Sequence, residues 1–526
     1  MNSIQQISFA GGEISRAIWG RTDLVKYAAG LKICKNFVVL AHGGVENRSG
    51  TRFVAEAKYH DKKCRIIPFE FSATQTYALE FGHKYIRFFT NGGQIIDTNG
   101  NPFEIESPYE ESDLPLLKYV QSADLLTICH PDHQPKNLGR YGHTDWRLTE
   151  FGNINGPFNE INTDEGITVS VSAQTGSVTL IANNDLFTQD QIGEQFYIEE
   201  VNSRAGSWAA NTMLTNKGVS PNGKKVKSNG KTYICVGSYD TNEKQSTGST
   251  APSHDEGVEK DGPGTFDYNV WTYYGVAWKY LHSGFGIVRI DSIINSKKAT
   301  GTVISMVPEG CVTSLGSSYK WAFPAWSKTA GYPKTAMYYQ QRLIFASTRK
   351  QPQTIWMSKT GQYNNFGHSF PGKDDDAITL TISSRQINEI RYLVPLNKLI
   401  VLTSAGEWVI GDSNQALTPS TVTASIQGYR GCSHNEPLVI GATALFVQEK
   451  GALVRDLAYR FEDDVYSGTD LSVMSNHLFK GFQITDWTYA QVPNSVCWAV
   501  RNDGALLGLT YMREQDVWGW HRHVTD

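Results

Sequence analysis

Three histidines and an aspartate crowd one short stretch of this chain. CHPDHQPKNLGRYGH carries His130, Asp132, His133 and His143. Imidazole nitrogens and a carboxylate are the donors of a zinc site, but they must converge on one point. The spacing here strings them along a proline-kinked loop rather than one helix face, and fixes no carboxylate partner beside them. No metal is expected. Asp374, Asp375 and Asp376 form a second grouping. A calcium loop takes its ligands from alternate positions, whereas successive side chains diverge, so a solvated turn is expected. His521-Arg522-His523 reads as a partner-contact tail or a soluble end.

Two further constellations fail on context. Gly43-Gly44 and Arg48-Ser49-Gly50 lack the strand-then-helix frame of a phosphate loop. Ser358-Lys359-Thr360-Gly361 bears on glycoside hydrolysis, because the blade turns of sialidases carry a Ser-x-Asp-x-Gly-x-Thr-Trp box. The aspartate and the Thr-Trp are missing, and no two carboxylates can be set ~5–9 Å apart from sequence alone. Neither Gly-x-Ser-x-Gly nor His-Glu-x-x-His occurs. The expectation is no catalytic, cofactor-binding or metal residue, no cofactor, and no enzyme.

The elements that would position such residues are strands. Tyr332 to Phe366 is the clearest example, with a Gly331-Tyr332-Pro333 turn, an apolar run Ala336 to Phe345, and a polar break Ser347 to Gln353. The run Thr354 to Met357 and a closing turn at Ser358–Gly361 complete it. Aromatic and β-branched residues fill the runs while Gly, Pro, Ser and Asn fill the joints, which is the signature of hairpins. Runs at Cys64–Phe71, Thr76–Phe81, Tyr85–Phe89 and Gln94–Asp97 repeat it, with Asn91-Gly92-Gly93 and Asn99-Gly100 supplying positive φ. Ser122 to Arg147 gives another unit, in which Pro131 and Pro135 are expected to end a strand or hold it at an edge. After residue 332 come further units turning at Ser404-Ala405-Gly406, at Glu449-Lys450-Gly451 and at Asn502-Asp503-Gly504. Strand, turn and strand at a spacing near ~40 residues is what propeller blades look like.

The texture changes between about 155 and 320. Thr-, Val- and Ile-rich runs over 167–200 suggest a small sandwich, and the polar, Gly-rich 215–265 reads as a long surface loop, mobile until a partner holds it. Near the start, Asp23 to Leu31 has helical spacing and Asn36 to Leu40 reads as a strand. The expected fold is therefore all-β: a β-propeller-like assembly of hairpin blades with an inserted small β domain. Its parts are an N-terminal β region, 1–154, holding a platform and the first propeller part; the insert, 155–320, with its 215–265 loop; and the remaining blades, 321–526.

Composition bounds the function. With 526 residues the chain is too long for one core. Charged residues make up only 19%, below the usual ~25%. A net charge of −4 supplies no global field for nucleic acid. Cys34, Cys64, Cys129, Cys235, Cys311, Cys432 and Cys497 are dispersed and odd in number, which predicts reduced, mostly buried thiols. The first twenty residues lack a signal-peptide pattern and no apolar run spans a bilayer, so folding in a cytoplasm is expected.

Three blocks carry a resemblance. FAGGEISRAIWGRTDLVKYAAGLKICKNFVVLAHGGVENRSGTRFVAE, WSKTAGYPKTAMYYQQRLIFAST and GCSHNEPLVIGATALFVQEKGALVRDLAYRFEDDVYSGTDLSVMSNHLF together resemble the tail nozzle (tail tubular protein B-like) family of short-tailed bacteriophages. The resemblance implies a structural virion protein of the phage tail, assembled in the host cytoplasm. It implies a closed ring, six copies, that forms a tube below the adaptor ring, through which DNA is retained and ejected. The implied partners are other copies of the chain, the adaptor or head-tail connector, a tail fibre or tailspike and a distal plug or needle. Phage DNA passes without specific binding, and lysines 224, 225, 227, 297 and 298 are expected to face outward or into subunit contacts. No catalytic residues come with the family. The alternative is a fibre- or baseplate-associated propeller that binds host surface glycans, which an aromatic-lined pocket with convergent amides would favour.

Overall fold

The computed structural model describes residues 6–524 other than 73, 216–218, 239–245, 263, 268–269, 274, 384–387, 412–414, 451–452 and 463. Its architecture is all-β, with short 3-10 turns as the helical content of the described residues. Six antiparallel sheets repeat one plan, in which each strand pairs with the next in sequence, save that the last strand of the first sheet returns to its third.

Sheet I comprises Arg65–Ser72, Gln75–Gly82 and Tyr85–Thr90, with Gly93–Gln94 and Glu104–Glu106 paired to the third. Sheet II runs Lys118–Ser122, Leu125–His130, His133–Gly142 and Asp145–Glu150. Sheet III is Thr335–Tyr339, Arg342–Ala346, Thr354–Met357 and Ile378–Thr381, and sheet IV is Ile390–Pro395, Leu399–Thr403, Glu407–Ile410 and Ala424–Gly428. Sheet V is Leu438–Ile440, Thr443–Val447, Val454–Arg460 and Val465–Ser467. Sheet VI is Ile484–Ala490, Val496–Arg501, Leu506–Met512 and Val517–His523.

Middle strands of sheets III to V are buried on both faces because those sheets are covered twice. Leu399–Thr403, Thr443–Val447 and Thr354–Met357 are buried throughout. The cores lie between sheets. Phe69 and Phe88 of sheet I meet Leu126, Leu138 and Trp146 of sheet II. Cys129 of II joins Phe345 and Trp356 of III, and Ile344 and Met357 of III join Val401 and Ile410 of IV. Ile400 and Leu402 of IV join Phe446 and Leu457 of V, and Leu445 and Val447 of V join Leu507 and Leu509 of VI. Sheets II to V are therefore each a wall of two neighbouring cores.

The N-terminal stretch ties onto sheet VI. Gly12–Glu13 lies parallel to the last strand, through Gly12 opposite Trp520, and Gly30–Leu31 lies parallel outside it. Gly12 has φ +62°, and a Cβ there would sit 2.5 Å from the Trp520 backbone, so only glycine fits. From there the chain reaches sheet I, where Arg52 Nη2 donates to Gly92 O at 2.6 Å and Lys58 N to the Tyr85 hydroxyl at 3.2 Å.

The strands between 169 and 322 follow a different plan. One six-stranded sheet orders Val169–Val171, Ser177–Ala182, Lys298–Ser305, Phe285–Asn295, Gln195–Glu199 and Trp321–Ala322. A five-stranded sheet orders Gly206–Ser207, Lys225–Ser228, Lys231–Ser238, Val276–His282 and Val258–Lys260.

Several expectations need correction. The run Ala336 to Phe345 is two strands, because Gln340 and Gln341 take φ of +45° and +57° and make a tight turn without glycine. The helical spacing over Asp23 to Leu31 yields only a 3-10 turn, Val25–Ala29, and a two-residue strand. The 167–200 runs belong to one sheet closed by strands a hundred residues later, not to a sandwich of their own. The described parts of 215–265 hold strands around a core of Val226, Tyr233, Cys235, Val276 and Trp278, while 239–245 lies outside the described residues. Pro135 sits inside an interior strand, at a bulge between the His130–His133 and Ile128–Lys136 pairs where no ladder donor is needed. First strands starting at Thr335, Ile390, Leu438 and Ile484 are spaced more widely than forty residues, because long connections separate the third and fourth strands in sheets III and IV and follow the fourth strand in sheet V.

Candidate functional site

The first strands of sheets II, III and IV lie side by side, and charged residues on or next to them converge with others leading into sheets V and VI. Lys118 opens the first strand of sheet II. Its ammonium donates to the Arg391 carbonyl of sheet IV and stands 3.8 Å from the centroid of the Tyr392 ring. Lys334, before sheet III, pairs with Glu389. Glu389 also meets Arg391 at 3.0 Å, and Arg391 reaches Glu449 at 3.5 Å and touches His434. The Tyr392 hydroxyl donates to His434 O at 2.5 Å.

Burial dominates the titration of this hub. It pushes Lys118 down to about 7, against the pull of Cys432 and Glu389, and His434 down to about 4, with Arg391's charge adding to it. Burial would raise Glu389 as well, but the Lys334 hydrogen bond and the Arg391 charge outweigh it and hold the carboxyl low. Glu436 is raised by burial, with Arg65 of sheet I opposing and Asp486 of sheet VI contributing. Cations and carboxylates alternate, so the group neutralises itself and clasps strands together.

The structure separates the groupings expected from sequence. His130 and His133 face each other across the two-residue Pro131-Asp132 turn. The carboxylate beside them is Asp113, not Asp132: its Oδ2 is 3.1 Å from His133 Nε2 and its Oδ1 3.8 Å from His130 Nε2. His143 is elsewhere, its Nδ1 3.0 Å from the Tyr77 hydroxyl. Asp113 was invisible to the spacing argument because it lies on the connection from sheet I to sheet II.

Asp376 is not a solvated turn residue. It is buried and paired with Lys359 at 2.6 Å, and it accepts from Ser369 N at 2.9 Å and Lys373 N at 2.8 Å. Burial would raise its carboxyl, yet Lys359 and these donors bring it down to about 2. Arg342, buried in sheet III, donates to the carbonyls of Asp374 and Asp376 at 3.0 and 2.6 Å, which fixes the turn from inside. His521 and His523 are not a tail either. Both are buried in the last strand of sheet VI beside Trp498, and burial pushes them to about 3 and about 4.

All seven cysteines are free thiols, and all but Cys64 are buried. Lys225 and Lys227 pair with Glu309 at 2.7 Å and Glu200 at 3.4 Å, Lys224 donates to Leu214 O, and Lys297 donates to Asn183 O at 3.0 Å. A cleft of about 990 Å³ opens where turns of sheets IV, V and VI meet, lined by Asn397, Tyr459, Tyr466, Tyr489, Gln491 and Tyr511. Among the described residues no helix is long and apolar enough to cross a membrane.

No curated protein matches the chain. The family model described as bacteriophage nozzle protein matches residues 334–480. The match begins one residue before sheet III and ends after sheet V, so it covers three consecutive sheets with the cores between them. Over that segment the chain is similar to the bacteriophage nozzle proteins.

Proposed function

We propose that the six sheets are blades of one propeller-like ring in each subunit, and that subunits close into a ring of six, the tail nozzle. This tube stands below the adaptor ring, retains packaged DNA and conducts it into the host. The nozzle-family match across sheets III to V is the observation that carries the reading. A conduit wall must resist pressure without chemistry, and sheets that share cores with their neighbours supply stiffness. The parts 1–154 and 321–526 form one assembly in this reading, and 155–320 is an insert. The chain is no enzyme and needs no cofactor. Its partners are other copies, the adaptor, a fibre or tailspike and a distal plug or needle, and it resides in the virion tail after assembly in the host cytoplasm.

A conduit should not grip DNA, since each phosphate neutralised by a lysine adds affinity. Lys225 and Lys227 already hold carboxylate partners, in keeping with that requirement. Particles made without this protein should fill with DNA and then lose it. Particles that keep their DNA in its absence would refute the nozzle role.

A second reading, glycan binding, draws on the tyrosine-and-amide cleft. Tyr466 and Tyr511 are buried, however, and the hydroxyls of Tyr459 and Tyr489 are bonded to Asp464 at 2.8 Å and Ser495 at 3.0 Å. Two of the four rings are thus closed to a sugar while Tyr459 stays exposed, and the family match makes the nozzle reading preferred. Retention of a host surface saccharide on a glycan array by the wild type, abolished in Tyr459→Ala, would reverse that order.

A further inference from the structure

We propose that Asp113, His130 and His133 form a binding site for a zinc-class divalent cation, which clasps the connection between sheets I and II onto a turn of sheet II. The turn is the reason the histidines meet. His130 and His133 are direct cross-strand partners over a two-residue turn, so their side chains leave the same face of the hairpin. Asp113 arrives from the other side, just ahead of the 3-10 turn Leu114–Leu116, with its Oδ2 held by Glu110 N at 2.8 Å. One donor atom from each of the three lies within 4.8 Å of the other two. Tetrahedral zinc with bonds of about 2.0–2.2 Å sets donors roughly 3.3–3.5 Å apart. The His133–Asp113 separation of 3.1 Å and the His130–Asp113 separation of 3.8 Å are near that, and the widest pair must close by up to about 1.4 Å.

Two buried polar atoms here are without a partner. His130 is 1% exposed and its Nε2 has no hydrogen bond, although it points toward Asp113. Tyr109 is fully buried, its ring centroid 5.2 Å from that of His133, and its hydroxyl is unpartnered too. Unpaired buried polar atoms are costly and call for a missing partner. A cation on His130 Nε2, Asp113 and His133 satisfies the first, and a water completing its tetrahedron is the natural partner for the second. His133 and Asp113 are partly exposed, which leaves a path for the ion. One adjustment is required. Asp132 N lies 3.1 Å from His130 Nδ1, and a metal on Nε2 places a proton on Nδ1, so that peptide must turn away. The carbonyl of that peptide, Pro131 O, accepts from Tyr332 N at 2.9 Å and the Asp132 side chain pairs with Arg349, so the rotation gives up the first bond and shifts the second.

The test uses the full-length protein after chelation and dialysis. Cobalt(II) titration should give the strong visible absorption of a tetrahedral ion at one equivalent per chain, displaced by zinc. His133→Ala and Asp113→Asn should each weaken binding by more than about 100-fold, since even loss of an outer-shell partner costs 10–100-fold. His143→Ala should bind as the wild type does. Both ligand variants should keep the wild-type circular dichroism, because their side chains are partly exposed. Absence of stoichiometric binding to the wild type, or wild-type affinity in both ligand variants, overturns the proposal.

Discussion

Sheets I to VI and the strands between 169 and 322 solve the same problem, burying strand faces, in opposite ways. In the first set every sheet is a local meander, and the apolar payload lies between sheets, as in the Cys129, Phe345 and Trp356 core that joins II to III. In the second set local hairpins are joined by remote pairings: Ser177–Ala182 pairs with Lys298–Ser305, and the five-stranded sheet has a small core centred on Tyr233 and Trp278. That small core leans on a polar post. Asp261 is fully buried and accepts from Val276 N, Trp278 Nε1 and Trp208 Nε1 at 2.9, 2.7 and 3.1 Å. The lesson is that the serial set is held by large shared apolar cores, whereas the five-stranded sheet depends on a few directional bonds.

The largest expected effect is in the serial set. Trp356→Ala empties a site shared by II and III, where Trp326 and Phe345 also pack. It should cost about 3–5 kcal/mol, seen as a lower midpoint in urea with exchange speeding up in both sheets. Confinement of the loss to sheet III would break the claim that neighbouring sheets share their stability.

Asp261→Ala comes next. It strands two buried N–H groups and the half-buried Trp208 indole N–H, each buried one worth about 1–3 kcal/mol when unsatisfied, less whatever relaxation recovers. Amide exchange should rise in Lys231–Ser238 and Val276–His282 and stay unchanged in sheets III to VI. Equal acceleration everywhere would erase the contrast between the two sets.

The Lys359–Asp376 pair gives a pH signature within the serial set. The folded carboxyl sits at about 2, below its ordinary value, so the pair's stabilisation is present above about pH 4 and is lost as pH falls toward 2. The loss should be on the order of 2 kcal/mol, and Asp376→Asn should remove that part of the acid slope. A variant with the wild-type slope would show that the pair is energetically idle.

The hub gives a second pH signature, of opposite range. Folded Lys118 sits at about 7 while the unfolded side chain titrates near ~10.4. The unfolded state therefore binds the extra proton between those values, and this lysine makes the fold less stable as pH drops from about 10 to about 7. Lys118→Met should flatten that stretch of the stability curve, and an unchanged curve would mean that the ammonium stays charged.

How much of this was legible in the sequence follows from what each feature depends on. Sheet strands announced themselves through local residue types, as at Tyr85–Thr90 and Glu407–Ile410. The Gln340–Gln341 turn did not, because the positive φ that usually demands Gly or Asn is imposed there by the flanking strands. The strands within 215–265 were hidden by a polar, Gly-rich composition, since their residues alternate between buried and half-exposed and Asp261 replaces apolar packing. His130 and His133 were visible, but Asp113 is brought to them by the fold. Likewise nothing local marks Lys118 as a neighbour of Arg391, 273 positions away.

The nozzle ring is tested most directly by electron microscopy of the purified protein mixed with its adaptor. A nozzle subunit should give closed rings with sixfold symmetry, a central hole and the adaptor stacked on one face. Single globules that stay monomeric beside intact adaptor rings would contradict it.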